Sequence, residues 1–425
     1  MKKSILFIIS LFFGMPLFAQ LPTVTAEEVG MSSSRLERIT ALSKDYVDSD
    51  RVASIVTMVA RQGKVVYFDA FGNRSMDDDT PVKKDDLFRI YSMTKPITAI
   101  AAMQLYEQGK FHLSDPVTKF IPELKDLEIM NEDGETETNT ETMTMQQLLT
   151  HTAGFSYGFN PKDPVDKAYG KANIWTSKDL DDFVQKIATL PLKYKPGEKW
   201  HYSIAVDLTG VIVERLSGES LADYFHNHIF EPLGMKDTFF EVPQDKKDRF
   251  LPNHYFDYAT YKPVTIKKTE DSAMSDYYKV TLYSGGGGLV STAMDYMLFS
   301  ECLRNGGELN GNRIIGPKTI NFMTKNHLDA SISQGGTGEN IDPDSNTNGF
   351  GFGLGFGLMT DATAQKVIGS EGEYSWGGAA GTIFWVDPIE DIVVVSMIQL
   401  MSSPWNLRGD LKVATYQALN TLNKK

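Results

Sequence analysis

The chain has 425 residues and a formal net charge of −13 at pH 7, because 55 Asp and Glu residues outnumber 42 Lys and Arg residues. A chain this acidic, with no basic stretch beyond its first residues, is repelled by phosphate backbones and anionic lipids, which argues against nucleic acid as a partner. The single cysteine, Cys302, leaves no partner for an internal disulfide and excludes a cysteine metal cluster.

The N-terminus has the pattern of a secretory signal peptide. Lys2 and Lys3 precede an apolar run over residues 5–18, and Ala19 supplies a small residue for cleavage. The run is too short for a comfortable membrane span, and no later segment is long and apolar enough to cross a bilayer. We therefore predict a signal peptide over residues 1–19 and a periplasmic or secreted protein that has no membrane span once the signal is removed.

The chain after the signal has strand patterns at both ends and helix patterns between them. Residues 53–71 are typical of a β-hairpin with Gly63 in its turn, and residues 96–103 are apolar on all sides, as in a buried helix. A capping-box pattern at Thr144 and Gln147 begins a helix in the middle of the chain. Strand-like runs return at residues 350–358, 381–385 and 392–398, before a last helix near 407–422.

The fold class that this order predicts is α/β, with a single catalytic domain over residues 20–425. We expect the α/β parts at about 20–91 and 285–425, and a mainly helical insertion at about 96–284.

Three short elements carry residues suited to catalysis. The first is the S-x-x-K element Ser92-Met93-Thr94-Lys95, in which residues three apart share one helix face, so that Lys95 can reach the hydroxyl of Ser92. A buried lysine next to other donors can lose its proton and serve as a base. In isolation this pattern is more often a serine helix cap followed by a solvated lysine.

The second element is Tyr202-Ser203, because a tyrosine hydroxyl beside an ammonium can pass a proton to a leaving group. Taken alone, Tyr202 would more often be a packing residue. The third element is Trp376-Gly377-Gly378-Ala379, whose glycines let a substrate lie against a strand edge. A backbone N–H from that edge could face the N–H of Ser92 and form an oxyanion hole, although a tight turn between strands is the alternative interpretation.

In this order and spacing, the three elements resemble the serine β-lactamase and penicillin-binding-protein superfamily, and above all class C β-lactamases and family VIII carboxylesterases. The resemblance implies a central antiparallel sheet flanked by helices, with a helical insertion domain. It also implies a serine hydrolase that needs no metal and no other cofactor.

The same resemblance implies a role for each site residue. Ser92 is expected to be the acylated nucleophile, Lys95 its base, and Tyr202 the proton relay. The N–H groups of Ser92 and Ala379 are expected to form the oxyanion hole. Which of Lys95 and Tyr202 takes the first proton stays open, as in related enzymes.

Two departures from the β-lactamase pattern bear on the substrate. Ile204 stands where those enzymes carry the Asn of Tyr-x-Asn, and Trp376 stands where they carry the Lys of Lys-Thr-Gly. That Lys would bind a substrate carboxylate, whereas Trp376, followed by Gly377 and Gly378, offers an apolar wall to the substrate. Trp-Gly-Gly is similar to what family VIII esterases carry.

Small carboxylic esters are therefore the expected substrates. The first alternative is another acyl transfer at the same small-molecule site, as in a β-lactamase, a D-amino-acid peptidase or an acyltransferase. The second alternative is a non-catalytic cell-wall-binding protein of the same fold, against which the intact Ser92, Lys95 and Tyr202 argue.

Two further patterns are set aside because of their context. Gly154-Phe155-Ser156-Tyr157-Gly158 matches the nucleophile elbow G-x-S-x-G, but an elbow needs a strand before it and a helix after it, and the sequence predicts neither there. His226 and His228 have no third ligand at a recognised spacing, so no metal site is predicted.

Overall fold

The computed structural model describes residues 21–131, 133–267, 277–329, 332–334 and 349–423. The predicted signal peptide over residues 1–19 lies outside the described residues.

The α-helices are α1 Ser33–Asp48, α2 Thr94–Glu107, α3 Met145–Leu149, α4 Pro164–Lys171, α5 Leu180–Ile187, α6 Ala205–Ser217, α7 Leu221–Phe225, α8 Glu231–Leu233, α9 Ala293–Arg304, α10 Pro317–Met323, α11 Ala362–Gln365 and α12 Leu407–Tyr416. The strands are β1 Ser54–Arg61, β2 Lys64–Ser75, β3 Asp78–Pro81, β4 Phe88–Arg89, β5 Glu128–Met130, β6 Thr136–Thr138, β7 Lys199–Trp200, β8 His254–Asp257, β9 Lys262–Thr265, β10 Val290–Ser291, β11 Glu308–Leu309, β12 Asn312–Arg313, β13 Ser333–Gln334, β14 Phe350–Phe352, β15 Gly357–Met359, β16 Tyr374–Gly377, β17 Ile383–Asp387 and β18 Ile392–Met397.

An antiparallel sheet forms the centre of the fold. Within the described ranges it has eight strands in the order β14-β15-β16-β17-β18-β1-β2-β3. The hairpin of β1 and β2 turns at Gln62 and Gly63, with φ values of 55° and 75°. Two successive positive φ values are what a two-residue hairpin turn of the favoured twist requires. The predicted hairpin is confirmed, with Gly63 in its turn.

Helices cover both faces of the sheet, and the side chains of β1 show why. Val56 and Met58 join the core that also contains the apolar residues of α2, whereas Ile55 and Val59 join the core between the sheet, α1 and α12. Successive side chains of a strand point to opposite faces, so a strand in the middle layer is apolar on both sides. The predicted α/β class, with an antiparallel sheet and flanking helices, is confirmed.

Two strand predictions differ from the structure. Residues 350–358 form two strands, β14 and β15, because the chain reverses between them at Gly355, which has a φ of 89°. β16 was absent from the predicted strands, since it has only four residues, of which Tyr374 and Trp376 favour a strand while the glycines that follow favour a turn. Its position is set by pairing with β17, where Trp376 lies opposite Phe384.

The helical part of the chain brings distant segments to the start of α2. α6 packs along α2, and α3 packs on α6. The predicted capping box begins α3, where the hydroxyl of Thr144 accepts the N–H of Gln147 and the Gln147 side chain accepts the N–H of Thr144. This packing places the segment before α6, which contains Tyr202, beside the N-terminus of α2.

Candidate active site

Ser92 lies in a single helical turn, Tyr91–Met93, directly before α2. Tyr91 has a φ of 42°, in the left-handed region that bulky residues rarely adopt. Contacts from outside hold this turn, because Asn253 donates to the Tyr91 hydroxyl over 2.8 Å and the Tyr296 hydroxyl donates to the carbonyl of Met93 over 2.8 Å. Strained backbone that its surroundings hold in place is typical of functional sites, and here it fixes the chain on both sides of Ser92.

Lys95, in the first turn of α2, is only 1% exposed. Its Nζ donates to the carbonyl of Gly286 over 2.6 Å and to the Oγ of Ser92 over 3.3 Å. Burial lowers the pKa of the Lys95 ammonium to about 7, and the negative charge of Asp207 opposes this shift. Near neutral pH a substantial share of Lys95 is therefore the free amine, which can accept a proton.

Tyr202 completes the group, since its hydroxyl donates to the Oγ of Ser92 over 2.6 Å. The Nζ of Lys95 lies 4.6 Å from the centre of the Tyr202 ring. Burial raises the pKa of the Tyr202 phenol above its usual value, and hydrogen bonds with Ser92 and Trp376 only partly oppose that shift. The structure thus brings the three predicted residues together, with Lys95 and Tyr202, the predicted proton carriers, both in contact with the Ser92 hydroxyl.

A cluster of rings holds Tyr202 in place. Its ring centre lies 4.8 Å from that of His151, 5.2 Å from that of Tyr157 and 5.5 Å from that of Trp376. The Nδ1 of His151 accepts the N–H of Ser203 over 3.3 Å, and burial holds the pKa of His151 well below its usual value. His151 is therefore a neutral packing partner of Tyr202.

The end of β16 closely approaches the turn that carries Ser92. A Cβ atom on Gly378 would lie 2.4 Å from the carbonyl oxygen of Ile90, two residues before Ser92. Any larger residue at position 378 would push the strand away, so glycine is required for this approach.

The edge of β16 that adjoins this turn is open. β15 pairs with β16 at Tyr374 and Ser375 only, so that nothing in the described part of the chain pairs as a strand with Trp376 and Gly377 on that side. The N–H of Ala379 donates to no backbone carbonyl of the described residues. An open edge of this kind can bind a substrate along the backbone, as the glycines in the sequence indicated.

Trp376 presents an uncharged face to the site. Its ring lies 5.5 Å from that of Tyr202 and 5.3 Å from that of Phe352, measured between ring centres. The nearby cation, Arg408, donates to the Oγ of Ser375 over 3.2 Å. Because neighbouring residues of a strand point to opposite faces, the guanidinium of Arg408 lies across the sheet from the Trp376 ring.

Sequence reasoning assigned no role to Asp207 or Tyr157, which the structure places behind Lys95. Asp207 is 1% exposed, and its carboxylate accepts hydrogen bonds from the Ser284 hydroxyl, from the N–H of Gly286 (2.9 Å) and from the Tyr157 phenol (3.2 Å). A signal was present in the sequence, because Asp207 is the one charged residue in the stretch 204–213. Such a residue is rarely buried without a partner.

Ser156 has a different environment from Ser92. Its hydroxyl donates to Asp166 and accepts the N–H of Gly158. Residues 152–160 contain neither helix nor strand. The strand-to-helix context of a nucleophile elbow is therefore absent around Ser156.

Histidine, cysteine and acidic side chains do not form a group of three or more suited to a metal ion anywhere in the described ranges. His228, one of the two histidines weighed in the sequence, lies with its Nε2 2.8 Å from a carboxylate oxygen of Glu219.

We predict that chelators leave the rate of ester hydrolysis unchanged. Activation of water by a metal needs a set of protein ligands, and the described residues around Ser92 contain no such set. The measurement is the rate of p-nitrophenyl butyrate hydrolysis before and after dialysis against EDTA. Loss of activity that Zn²⁺ restores would contradict a metal-free mechanism.

Comparison with known proteins gives a consistent set of similarities. The family model described as Beta-lactamase matches residues 39–418. Protein Rv1367c of Mycobacterium tuberculosis is 31% identical over 366 residues, and esterase EstB of Burkholderia gladioli is 29% identical over 375 residues. Each alignment covers 84% of this chain and 88% of the relative.

A solved structure described as "EstCE1, a hydrolase with promiscuous acyltransferase activity" superimposes with a TM-score of 0.75 at 25% identity, covering 90% of this chain and 99% of that one. Among the helices of the described residues, none is both long enough and apolar enough to span a membrane.

Proposed function

This chain belongs to the beta-lactamase family and is a serine hydrolase, and from that premise we propose that it hydrolyses small carboxylic esters through an acyl-Ser92 intermediate. One observation carries the proposal: the Oγ of Ser92 lies 2.6 Å from the Tyr202 hydroxyl and 3.3 Å from the Nζ of Lys95. A hydroxyl becomes an effective nucleophile when such a group takes its proton during attack.

The proposed reaction has two halves. In the first, the Oγ of Ser92 bonds to the ester carbonyl carbon, its proton passes to the Lys95–Tyr202 pair, and the departing alkoxide takes a proton back from that pair and leaves as an alcohol. In the second, water loses a proton to the same pair and its oxygen bonds to the acyl carbon. The bond between that carbon and the Oγ of Ser92 then breaks, the Oγ takes the proton back from the pair, and a carboxylic acid is released. The N–H groups of Ser92 and Ala379 would stabilise the oxyanion in both halves.

Aromatic side chains support esters with neutral, apolar groups as the substrate class. Trp376 and Tyr202 line the site beside Ser92, and Tyr157 stacks on Phe159, whose side chain is 46% exposed. Rings of this kind contact apolar groups favourably and offer no charge to a carboxylate.

The names of two similar proteins support acyl transfer and ester chemistry in general. EstB is named an esterase, and the name of EstCE1 includes acyltransferase activity. Transfer of the acyl group from Ser92 to an alcohol in place of water would give that second activity at the same site.

We also propose that the protein is exported to the periplasm or secreted. The basis is the order of Lys2, Lys3, the apolar run over residues 5–18 and Ala19. N-terminal sequencing of the protein from its native cells tests this proposal.

We expect Trp376→Lys to shift substrate preference toward molecules that carry a carboxylate. A charged hydrogen bond contributes about 1.5–3 kcal/mol, which corresponds to a change of about 10-fold or more in relative kcat/KM. The measurement is the ratio of kcat/KM for p-nitrophenyl butyrate to that for nitrocefin, in the wild type and in Trp376→Lys. Circular dichroism checks folding first, because Trp376 is buried.

Trp376→Phe is the matched control, since it keeps an aromatic ring at the same place and adds no charge. The ratio in Trp376→Phe should stay near that of the wild type. If the wild type already prefers nitrocefin by a wide margin, the esterase proposal fails and β-lactamase chemistry takes its place.

A further inference from the structure

A buried carboxylate lies behind the amine of Lys95. Asp207, in the first turn of α6, accepts hydrogen bonds from the Ser284 hydroxyl, the Gly286 N–H and the Tyr157 phenol. All three donors are neutral groups, so none of them cancels the charge of the carboxylate. Lys95 is the cation whose attraction acts most strongly to keep Asp207 ionised.

Gly286 connects the two charged groups directly. Its N–H donates to Asp207 over 2.9 Å, while its carbonyl accepts the Nζ of Lys95 over 2.6 Å. A Cβ at position 286 would lie 2.2 Å from the nearer Asp207 oxygen, so this residue must be glycine. The contacts therefore run in one chain from Asp207 through Gly286 and Lys95 to Ser92.

A purely structural role for Asp207 does not account for its charge. The amide oxygen of an asparagine could accept the hydrogen bonds from Ser284 and Gly286, which share one carboxylate oxygen, and its NH2 group could donate to the Tyr157 hydroxyl. An uncharged side chain also costs far less to bury than a carboxylate. A buried charge is retained at least cost when a specific opposite charge lies nearby, and Lys95 is that charge.

The other titratable groups around Lys95 are neutral. Burial raises the pKa of the Tyr157 and Tyr202 phenols, which stay protonated, and burial holds His151 in its neutral form. Burial also raises the pKa of Asp207, but the positive charge of Lys95 and the hydrogen bonds from Ser284, Gly286 and Tyr157 oppose that rise. Asp207 is therefore the one of these four groups that can carry a charge beside Lys95.

We propose that Asp207 is a positioning residue that anchors Gly286 against Lys95 and supplies the negative charge that sets the pH at which Lys95 becomes a base. This inference rests on the role of Lys95 in the proposed function. Asp207 touches neither Ser92 nor the open strand edge in these contacts, so it would act through Lys95 and Gly286.

The test is the pH dependence of the wild type and of Asp207→Asn. The pKa of Lys95 is about 7, so the wild-type rate should rise with pH through that value as the free amine appears. Without the negative charge, the ammonium is less stable and loses its proton at lower pH. The acid limb of kcat/KM should therefore move to lower pH by about 1 unit or more.

Asp295→Asn is the matched control. Asp295 is also a buried carboxylate, on α9, and accepts the N–H of Asp237 and the hydroxyl of Thr238. The acid limb of the kcat/KM profile in Asp295→Asn should coincide with that of the wild type. An Asp207→Asn profile that coincides with the wild-type profile would overturn the proposal.

A second measurement tests the coupling between Asp207 and Lys95 if Asp207→Asn does not fold. Coupling between two sites is reciprocal, so removing the charge of Lys95 must raise the pKa of Asp207 by as much as Asp207 raises that of Lys95. Carboxyl ¹³C NMR titration should show one buried aspartate titrating at higher pH in Lys95→Met than in the wild type. Identical carboxyl titrations in the two proteins would overturn the proposal.

The rate of Ser92 phosphonylation by a fluorophosphonate separates this proposal from the choice of substrate. Suppose that the wild type cleaves no ester, but that the pH profile of phosphonylation in Asp207→Asn is shifted from that of the wild type. The role of Asp207 then stands and the esterase proposal fails. If esters are cleaved and neither profile shifts, the esterase proposal stands and the role of Asp207 fails.

Discussion

Replacing Ser92 by alanine should abolish turnover, with a loss in kcat of about 10⁶-fold, the size of the loss when a serine protease loses its nucleophile. The reason is geometric, because Lys95 and Tyr202, the two proposed proton carriers, both contact the one hydroxyl that this change removes. The measurement is kcat for p-nitrophenyl butyrate, together with mass spectrometry of the protein after treatment with a fluorophosphonate. The adduct should lie on Ser92 in the wild type and be absent from Ser92→Ala.

Ser156→Ala is the matched control for this prediction. Ser156 is also buried and belongs to the competing G-x-S-x-G pattern, but its hydroxyl donates to Asp166. Its replacement should leave kcat within a few-fold of the wild type and lower only the stability, by about 1.5–3 kcal/mol for the lost hydrogen bond to a charged group, since Asp166 keeps its contacts with Lys193 and Asn160. A phosphonyl adduct on Ser156 would refute the assignment of Ser92.

Lys95→Met should lower kcat/KM by about 10²–10⁴-fold, the range that general acid–base catalysis contributes. Methionine fills a similar volume and removes the amine that donates to Ser92 and to Gly286. Methionine also leaves the buried Asp207 carboxylate without its opposite charge, so Lys95→Met should be less stable than the wild type, by about 3–5 kcal/mol, the cost of removing one partner of a buried ion pair. The measurement is kcat/KM for p-nitrophenyl butyrate near pH 8, with thermal unfolding recorded on the same samples.

Lys193→Met provides the control for the loss of a partly buried lysine. Lys193 forms ion pairs with Asp163 and Asp166, beside Ser156 rather than beside Ser92. Its replacement should lower the unfolding temperature and leave kcat/KM of the folded protein close to that of the wild type. If Lys95→Met kept wild-type activity, a base role for Lys95 would be ruled out.

Local patterns in the sequence were enough to predict the elements that depend on neighbouring residues. The β1–β2 hairpin follows from two β-rich runs around Gly63, and the start of α3 follows from the capping box at Thr144 and Gln147. The spacing of three residues also predicted the contact between Ser92 and Lys95, although Ser92 lies in the turn Tyr91–Met93 directly before α2 and not in α2 itself.

Other contacts of the site could be expected only through the resemblance to a known superfamily. The hydrogen bond between Tyr202 and Ser92 joins residues 110 positions apart, and no local periodicity reports such a pair. The motifs around Tyr202 and Trp376 were enough to predict the roles of these two residues. Their distances from Ser92 became known only from the folded structure.

The network behind Lys95 was decided by the tertiary structure alone. Gly286 lies 191 positions from Lys95 and 79 from Asp207, and the sequence offered only a run of glycines and one acidic residue in an otherwise uncharged stretch. Sequence determines which hydrogen-bonding and charged groups the chain carries, and short spacings determine which of them share one element. Burial lowers the pKa of Lys95 and keeps Asp207 in contact with neutral donors. It arises only when α2, α6 and the 284–288 segment pack together, because burial depends on all the atoms that exclude water from the site.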